Sequence, residues 1–351
     1  MIIDRFWRFI SHDLAIDLGT SNTLVMVRGQ GIKIREPSVV ARHKKTKEIL
    51  AIGTRAKQMY GKTPSSIEAI RPLKDGVIAD FDGTFAMLTH YIKRLHQSDR
   101  FIPYLPRPRV IIGIPSAVTE VERRAVHSAA LSAGARQAFL VEEPMAAAIG
   151  AGLPVSDPTG IFIVDIGGGT TEISIISLGG IVIDRSLRIA GDEMDEAVVN
   201  FFRLKYSLLI GQATAETVKI EVGSAYPQTH AQVKETVVRG RDLETGLPKS
   251  VKVTSNEIRE ALSPILQEIV TTITDTIEEA PPELISEIVE RGITICGGGA
   301  LIPGIDKLVS EQTKIPAWIA QDPITCVVRG AGSLFENPEL LHQIKITSGL
   351  K

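Results

Sequence analysis

The sequence contains little cysteine and no cluster of histidines. Two cysteines, Cys296 and Cys326, occur in 351 residues, and the seven histidines do not show the spacing of metal ligands. Both cysteines lie in apolar, strand-like runs. We therefore expect them to be buried and to act as small hydrophobic residues of a protein in a reducing compartment. This pattern argues against a disulfide-stabilised fold and against a metal centre built from histidine or cysteine.

Long apolar runs and long basic runs are also absent. No uninterrupted apolar stretch reaches the roughly 18 residues that a membrane-spanning helix needs. The net charge is −2 without a long basic run, which argues against nucleic acid as the main partner. Charged residues interrupt the first ten residues and no small-residue cleavage site follows, so we do not expect a signal peptide. We expect a cytoplasmic protein that is soluble or peripheral to a membrane.

Two common nucleotide-binding loops are missing as well. Gly61-Lys62-Thr63 resembles the end of a P-loop, but Ala56 occupies the position of the required earlier glycine. No G-x-G-x-x-G motif opens a helix after the first strand, so a dinucleotide-binding fold has no support.

A different glycine-rich turn is present twice, at Asp17–Thr23 and at Asp165–Thr171. Each copy follows an apolar β-type run, and both keep Asp, Gly and Thr at the same relative offsets. Either turn alone is as easily an ordinary hairpin turn. Two copies in register indicate a duplicated domain. A chain of 351 residues, of which 44% are hydrophobic, is long enough for two cores.

The residue types of these turns suit a bound polyphosphate. Glycines let backbone N–H groups approach phosphate oxygens, and short hydroxyl side chains add donors. The Asp at each strand end supplies a hard oxygen ligand for Mg²⁺, which is usually bound through a few carboxylates together with phosphate. The two turns therefore predict one nucleotide site between two domains.

The rest of the chain alternates strands and helices in both halves, which predicts an α/β fold with ligand at the carboxyl ends of the strands. A buried strand over residues 109–114 stops at Pro115, and the capping-box pattern Thr119-x-x-Glu122 predicts the start of a helix. Further helices are predicted over 84–95, 145–151 and 255–279, with polar inserts near 42–74 and 195–252.

Taken together, these motifs resemble the superfamily of actin, sugar kinases and heat-shock chaperone ATPases. Three stretches, at 70–80, 141–150 and 189–197, are similar almost word for word to the MreB family of bacterial actin-like filament proteins. The resemblance spans about residues 13–335 and departs at Ser21, where the family usually has Ala. It implies two duplicated ribonuclease-H-like domains, each with a small inserted subdomain and with nucleotide in the cleft between them. The first would hold residues 1–157 and 327–351 with an insert near 40–74; the second would hold 158–326 with an insert near 194–258.

The resemblance also implies roles for individual residues. Glu143, just before Pro144, would orient the attacking water, with Glu142 as the neighbour that could be confused with it. Asp17 and Asp165 would hold Mg²⁺ through water, and Asp165 would also take part in catalysis. Residues implied in binding ATP, or GTP in its place, are Thr20, Ser21, Asn22, Gly168, Gly169, Thr170, Glu216, Thr217, Val218, Lys219, Gly297, Gly298, Gly299 and Ala300. From the residues alone, Glu216 and Lys219 are more simply a solvated helix face.

The first ten residues predict an amphipathic interfacial helix. Its apolar face consists of Ile2, Ile3, Phe6, Trp7, Phe9 and Ile10. A helix docked on the protein's own core is the alternative. The loop over 101–105 resembles a membrane-facing loop of the family, and a packed connector explains it almost as well.

The implied function is a slow ATPase that polymerises on the inner face of the cytoplasmic membrane. There it would organise cell-wall peptidoglycan synthesis and rod shape together with membrane proteins of the elongation machinery. We expect no nucleic-acid partner. The helix over 119–133, with the apolar residues Val121, Ala125, Ala129 and Ala130, resembles the contact between paired protofilaments. A chaperone-like ATPase and a small-molecule kinase of the same superfamily are the alternatives. The chaperone would need a large substrate-binding region for which little chain remains, and the kinase a substrate site for which no candidate residues are found.

Overall fold

A computed structural model describes residues 11–97, 107–227 and 233–343 of the chain. The strands, in chain order, are β1 Leu14–Leu18, β2 Asn22–Val27, β3 Gly31–Pro37, β4 Val40–His43, β5 Ile49–Ile52, β6 Ile67–Ile70, β7 Leu73–Lys74, β8 Val77–Ile78, β9 Arg109–Ile114, β10 Gln137–Glu142, β11 Ile161–Ile166, β12 Thr171–Ser177, β13 Gly180–Leu187, β14 Leu208–Leu209, β15 Glu235–Asp242, β16 Pro248–Thr254, β17 Ile293–Cys296 and β18 Ala317–Ile319. The α-helices are α1 Thr54–Met59, α2 Phe81–Gln97, α3 Glu120–Ser132, α4 Glu143–Gly150, α5 Gly191–Tyr206, α6 Gln212–Val222, α7 Ser255–Glu279, α8 Pro282–Arg291, α9 Ile305–Thr313, α10 Cys326–Ser333 and α11 Pro338–Gln343.

Two five-stranded sheets have the same topology. Their strand orders are β10-β9-β1-β2-β3 and β13-β12-β11-β17-β18. The central strand is β1 in one sheet and β11 in the other. Each pairs antiparallel with the strand that follows it along the chain, β2 or β12, and parallel with a later strand, β9 or β17. The repeated pairing agrees with the duplication that the two glycine-rich turns predict, and it places both turns at the carboxyl ends of the central strands.

The central strands are apolar because both of their faces are covered. Every residue of β11 is buried, and β9 is buried from Val110 to Ile114. Such continuous β-branched runs are typical of strands between two layers. Hydrophobic cores flank each sheet, and a further core with Ala15, Ile111 and Ile163 joins the two sheets.

Helices α4 and α10 lie in this shared core and cross at two glycines. A Cβ atom at Gly150 would overlap the backbone of Cys326, and one at Gly330 would overlap the backbone of Ala146. The crossing therefore requires glycine at both positions. It holds the segment after β10 against the segment after β18.

Most predicted elements are confirmed, with shifts at their ends. The capping box of Thr119 and Glu122 is present, and α7 covers the predicted residues 255–279. Helix α2 extends beyond the predicted 84–95, and α4 begins at Glu143 rather than Met145 because Pro144 is well accommodated in a first helical turn. The predicted polar inserts contain the three-stranded sheets β5-β4-β6 and β14-β15-β16.

Both cysteines are buried, as expected. Cys296 ends β17, whereas Cys326 begins α10 and does not lie in a strand. The predicted apolar face of residues 2–10 and the loop over 101–105 lie outside the described residues. Among the helices within the described residues, none has the length and apolar character to cross a membrane. On α3, Val121 is 77% exposed, whereas Ala129 and Ala130 belong to the core, so only part of this helix is open to a partner.

Candidate functional site

The molecule has two halves, of which the first contains the sheet β10-β9-β1-β2-β3 and the second the sheet β13-β12-β11-β17-β18. The two glycine-rich turns meet at the floor of a cleft between these halves. A Cβ atom at Gly168 would overlap the side chain of Ser21, and one at Gly169 would lie 3.0 Å from Oγ1 of Thr20. Only glycine allows the turns to approach this closely. The cleft has a cavity volume of about 310 Å³.

Most of the predicted nucleotide residues line this cleft. They are Thr20, Ser21, Asn22, Gly168, Thr170, Glu216, Lys219, Gly297, Gly298 and Gly299, together with the predicted metal and catalytic residues Asp17, Glu143 and Asp165. The sequence places these residues far apart, and the paired sheets bring them to one site.

Four predicted contact residues are placed elsewhere. Val218 and Ala300 are buried in the core of the second half, and the hydroxyl of Thr217 donates to the carbonyl of Ala213 on its own helix. Gly169 packs against Thr20 instead of lining the cavity. The prediction took four consecutive residues of α6, but a helix turns its residues to different faces, so of these four only Glu216 and Lys219 line the cleft.

Carboxyl groups dominate the charge of the cleft. Burial raises the pKa of Asp17 to about 7. Burial, reinforced by repulsion from Asp17 and other carboxylates, raises the pKa of Glu143 and of Asp165 well above the ordinary values. A divalent cation would relieve this repulsion in place of protons.

The oxygen donors of Asp17 and Asp165 fit Mg²⁺. Across residues 11–97, 107–227 and 233–343, no group of three or more His, Cys, Asp or Glu residues could hold a metal ion. Mg²⁺ usually keeps several waters and is bound through one or two carboxylates together with phosphate, so Asp17 and Asp165 could hold it through water without such a group.

Glu143 and Glu142 are clearly distinguished by their surroundings. Glu143 is the first residue of α4 and lines the cleft, and a Cβ atom at the adjacent Gly113 would lie 3.4 Å from its Cγ. Glu142 ends β10, and its Oε1 lies 4.0 Å from Nη2 of Arg123. Only Glu143 is placed to act in the cleft.

Ion pairs cross the cleft between the two halves. Lys57 on α1 contacts Glu216 on α6 at 2.8 Å, and Arg71 after β6 contacts Asp192 on α5 at 2.6 Å.

Lys219 is held within the second half, where its Nζ lies 2.8 Å from Oδ1 of Asp195 and donates to the carbonyl of Gly191 at 2.7 Å. Burial raises the pKa of Asp195 to about 6, although the charge of Lys219 acts in the opposite direction.

Sequence reasoning missed two parts of the cleft. One is an apolar wall that consists of Met194, Ile220, Leu301 and Ile302. The sequence signal for this wall was that Ile220 directly follows Lys219, and Leu301 directly follows Ala300, both of which were predicted to contact nucleotide. The other is Glu172, which is 1% exposed on β12 and lines the cleft. Its signal was its charge, because Glu172 is the one charged residue of this buried strand.

Comparison with known proteins places these features in context. The model of the family described as MreB/Mbl protein matches residues 11–343. The chain is 53% identical to the cell shape-determining protein MreB of Escherichia coli over 339 residues, 95% of this chain and 96% of the relative. It is 44% identical to the cell shape-determining protein Mbl of Bacillus subtilis over 337 residues, 96% and 99% of the two chains.

Solved structures agree with the fold. The crystal structure of MreB5 of Spiroplasma citri bound to ADP superposes with a TM-score of 0.86 at 39% identity and covers 93% of this chain and 99% of that one. The same protein bound to AMPPNP gives a TM-score of 0.88 at 38% identity over 95% and 98%. The MamK double helical filament has a TM-score of 0.78 at 24% identity, over 93% of this chain and 99% of that one, which supports the fold alone.

Proposed function

The chain belongs to the MreB/Mbl family, and on that premise we propose that it is a cell-shape-determining, actin-like protein that forms filaments with ATP. The observation that carries the proposal is the meeting of two duplicated glycine-rich turns, one from each half, in a single cleft. A ligand that touches both turns favours the closed arrangement of the halves. We keep the predicted division near residues 157 and 327, which assigns one five-stranded sheet to each domain.

The cleft suits an adenine nucleotide with Mg²⁺. The relative from Spiroplasma citri was crystallised with ADP and with AMPPNP. Here, backbone N–H groups of the two turns would bind phosphates, and the wall of Met194, Leu301 and Ile302 would cover the apolar base. Asp17 and Asp165 would hold Mg²⁺, which supplies positive charge to compensate the phosphates.

We assign slow hydrolysis of ATP to Glu143. Its carboxyl group lies in the cleft with Asp17 and Asp165. Burial, reinforced by the neighbouring negative charge, raises its pKa and makes it a stronger base than an exposed glutamate. Glu143 would orient the attacking water and accept its proton. Loss of the γ-phosphate removes contacts that join the two turns, so hydrolysis limits the lifetime of the closed state.

We place the protein on the inner face of the cytoplasmic membrane, where it would act with membrane proteins of the cell-wall elongation machinery. The amphipathic pattern of residues 2–10 supports this location. One short helix would bind lipid weakly and reversibly, but a filament carries many copies, and linked contacts add up. Deletion of residues 1–10 should abolish co-sedimentation with liposomes and leave ATP-dependent assembly in solution intact. Unchanged co-sedimentation would refute the anchor.

We also propose that α3 contributes to the contact between paired protofilaments, through Val121 and the half-buried Ala125. Neither Ala129 nor Ala130 can contribute, because both are buried. A chaperone-like ATPase and a small-molecule kinase are not favoured, since the family match extends over 11–343. Sedimentation with and without ATP separates the classes: only a filament protein pellets in a nucleotide-dependent manner.

A further inference from the structure

Glu172 lies in a row of polar side chains that runs across the second sheet. On β12 it is directly opposite Asp165 of β11, and on its other side it is directly opposite Ser186 of β13. Side chains of directly opposite residues share one face of a sheet. This face looks toward the first half of the molecule, because Ile163, two residues before Asp165, belongs to the core between the sheets.

The carboxylate of Glu172 joins the two halves at the floor of the cleft. Its Oε2 accepts a hydrogen bond from the hydroxyl of Ser116 at 2.6 Å, and its Oε1 accepts one from the hydroxyl of Ser186 at 2.6 Å. Ser116 belongs to the first half and Ser186 to the second. The carboxylate thus accepts two hydroxyl hydrogen bonds of equal length, of which one crosses between the halves and the other does not. The backbone N–H of Ser116 also donates to it.

The crossing bond connects the surroundings of two proposed active-site residues. Ser116 follows β9 by two residues, and β9 is the parallel neighbour of β10, whose last residue precedes Glu143. At the other end of the bond, Glu172 is the cross-strand partner of Asp165. A short path through Ser116 and Glu172 therefore connects the strand end before Glu143 with Asp165.

We propose that Glu172 is a positioning residue for ATP hydrolysis, which acts by holding the strand end beside Glu143 at a set distance from Asp165. The inference rests on the proposed ATPase function. Glu172 does not need to contact nucleotide for this role. A buried carboxylate that accepts two hydroxyl donors is held more firmly than one exposed to water, because the low local dielectric strengthens both bonds.

Two matched serine variants of the full chain test the proposal. Ser116→Ala removes the hydroxyl donor that the first half contributes to Glu172 and keeps the backbone N–H, whereas Ser186→Ala removes the hydroxyl donor from the second half. We expect Ser116→Ala to slow single-turnover phosphate release at saturating ATP about fivefold, the rate equivalent of one net hydrogen bond, with ATP affinity unchanged. Ser186→Ala should remain within about twofold of the wild type. Ser116→Thr, which keeps the hydroxyl, should restore the rate.

Amide hydrogen exchange with AMPPNP provides a readout that does not need hydrolysis. Ser116→Ala should speed exchange in both 113–118 and 171–177, whereas Ser186→Ala should affect only the second half. Equal slowing of phosphate release by the two alanine variants, or unchanged exchange in Ser116→Ala, would overturn the role of Glu172. A wild-type protein that binds ATP but releases no phosphate would instead refute the ATPase function, and the exchange comparison would still test the bridge.

Discussion

Lys57 and Glu216 form an ion pair across the mouth of the cleft, with Nζ of Lys57 2.8 Å from Oε2 of Glu216. The two residues lie on helices of different halves, α1 and α6. Their side chains are 39% and 26% exposed, so solvent screens their attraction. The pair therefore holds the mouth closed only weakly, which leaves a path for nucleotide to enter and leave.

Lys57→Gln should speed the dissociation of ATP about two- to fivefold, because it removes a contact worth up to about 1 kcal/mol. Stopped-flow displacement of a fluorescent ATP analogue measures the rate. High salt should reduce the difference from the wild type. Arg124→Gln is the matched control, since it breaks an exposed pair with Glu120 on a single helix. Equal acceleration in the control would show that the position of Lys57 across the cleft is irrelevant.

Asp165→Ala should lower the affinity for ATP at least about tenfold in the presence of Mg²⁺, because the cation loses one of its two proposed carboxylates. Calorimetric titration with Mg²⁺ and again with EDTA measures the effect. Without Mg²⁺, the variant and the wild type should differ far less. Asp157→Ala, an exposed carboxylate outside the cleft, is the control. An unchanged Mg²⁺ dependence in Asp165→Ala would refute the metal assignment.

Glu143→Gln should bind ATP as the wild type does and release phosphate about a hundredfold more slowly, a typical loss for a general base. Its filaments should persist longer for the same reason. Glu142→Gln is the natural control, because its side chain lies toward Arg123 instead of the cleft. If Glu142→Gln were the slow variant, the assignment of the two neighbours would be reversed.

The nucleotide-free protein should lose stability as the pH rises from about 4 to about 7. In the folded state the pKa of Asp17 is about 7, and those of Glu143 and Asp165 are also raised, so these groups still hold their protons in this range. In the unfolded chain the same three groups have already released them. Stability falls with pH wherever the folded state binds more protons. Thermal unfolding between about pH 5 and pH 8 should show a Tm that declines by a few degrees, and Asp17→Asn should flatten the decline. An equal slope in Asp17→Asn would exclude Asp17 as its source.

Local sequence patterns were sufficient for the elements that carry the site. The apolar runs and glycine turns predicted the two central strands with their loops. The capping signal predicted the start of α3, and Pro115 predicted the end of β9. The position of Glu143 before Pro144 is read directly from the sequence, and the family resemblance implied its role. These features depend on neighbours in the chain, so one sequence contains enough information to predict them.

Contacts between distant segments could not be predicted in the same way. The pairs of Lys57 with Glu216 and of Ser116 with Glu172 join residues that only the packing of the two halves brings together. The burial of Val218 in the core, away from the cleft, has a related cause, because a family resemblance identifies a helix but not the face that a given core requires. The apolar wall was missed because its residues come from three separate segments.

Electron microscopy of the full-length protein on a lipid monolayer, with Mg²⁺ and with or without ATP, tests the central claim most directly. The account predicts filaments on the lipid when ATP is present and dispersed particles when it is absent. If the protein binds ATP in a parallel titration yet remains dispersed on the lipid at every concentration, an ATP-dependent filament function is contradicted.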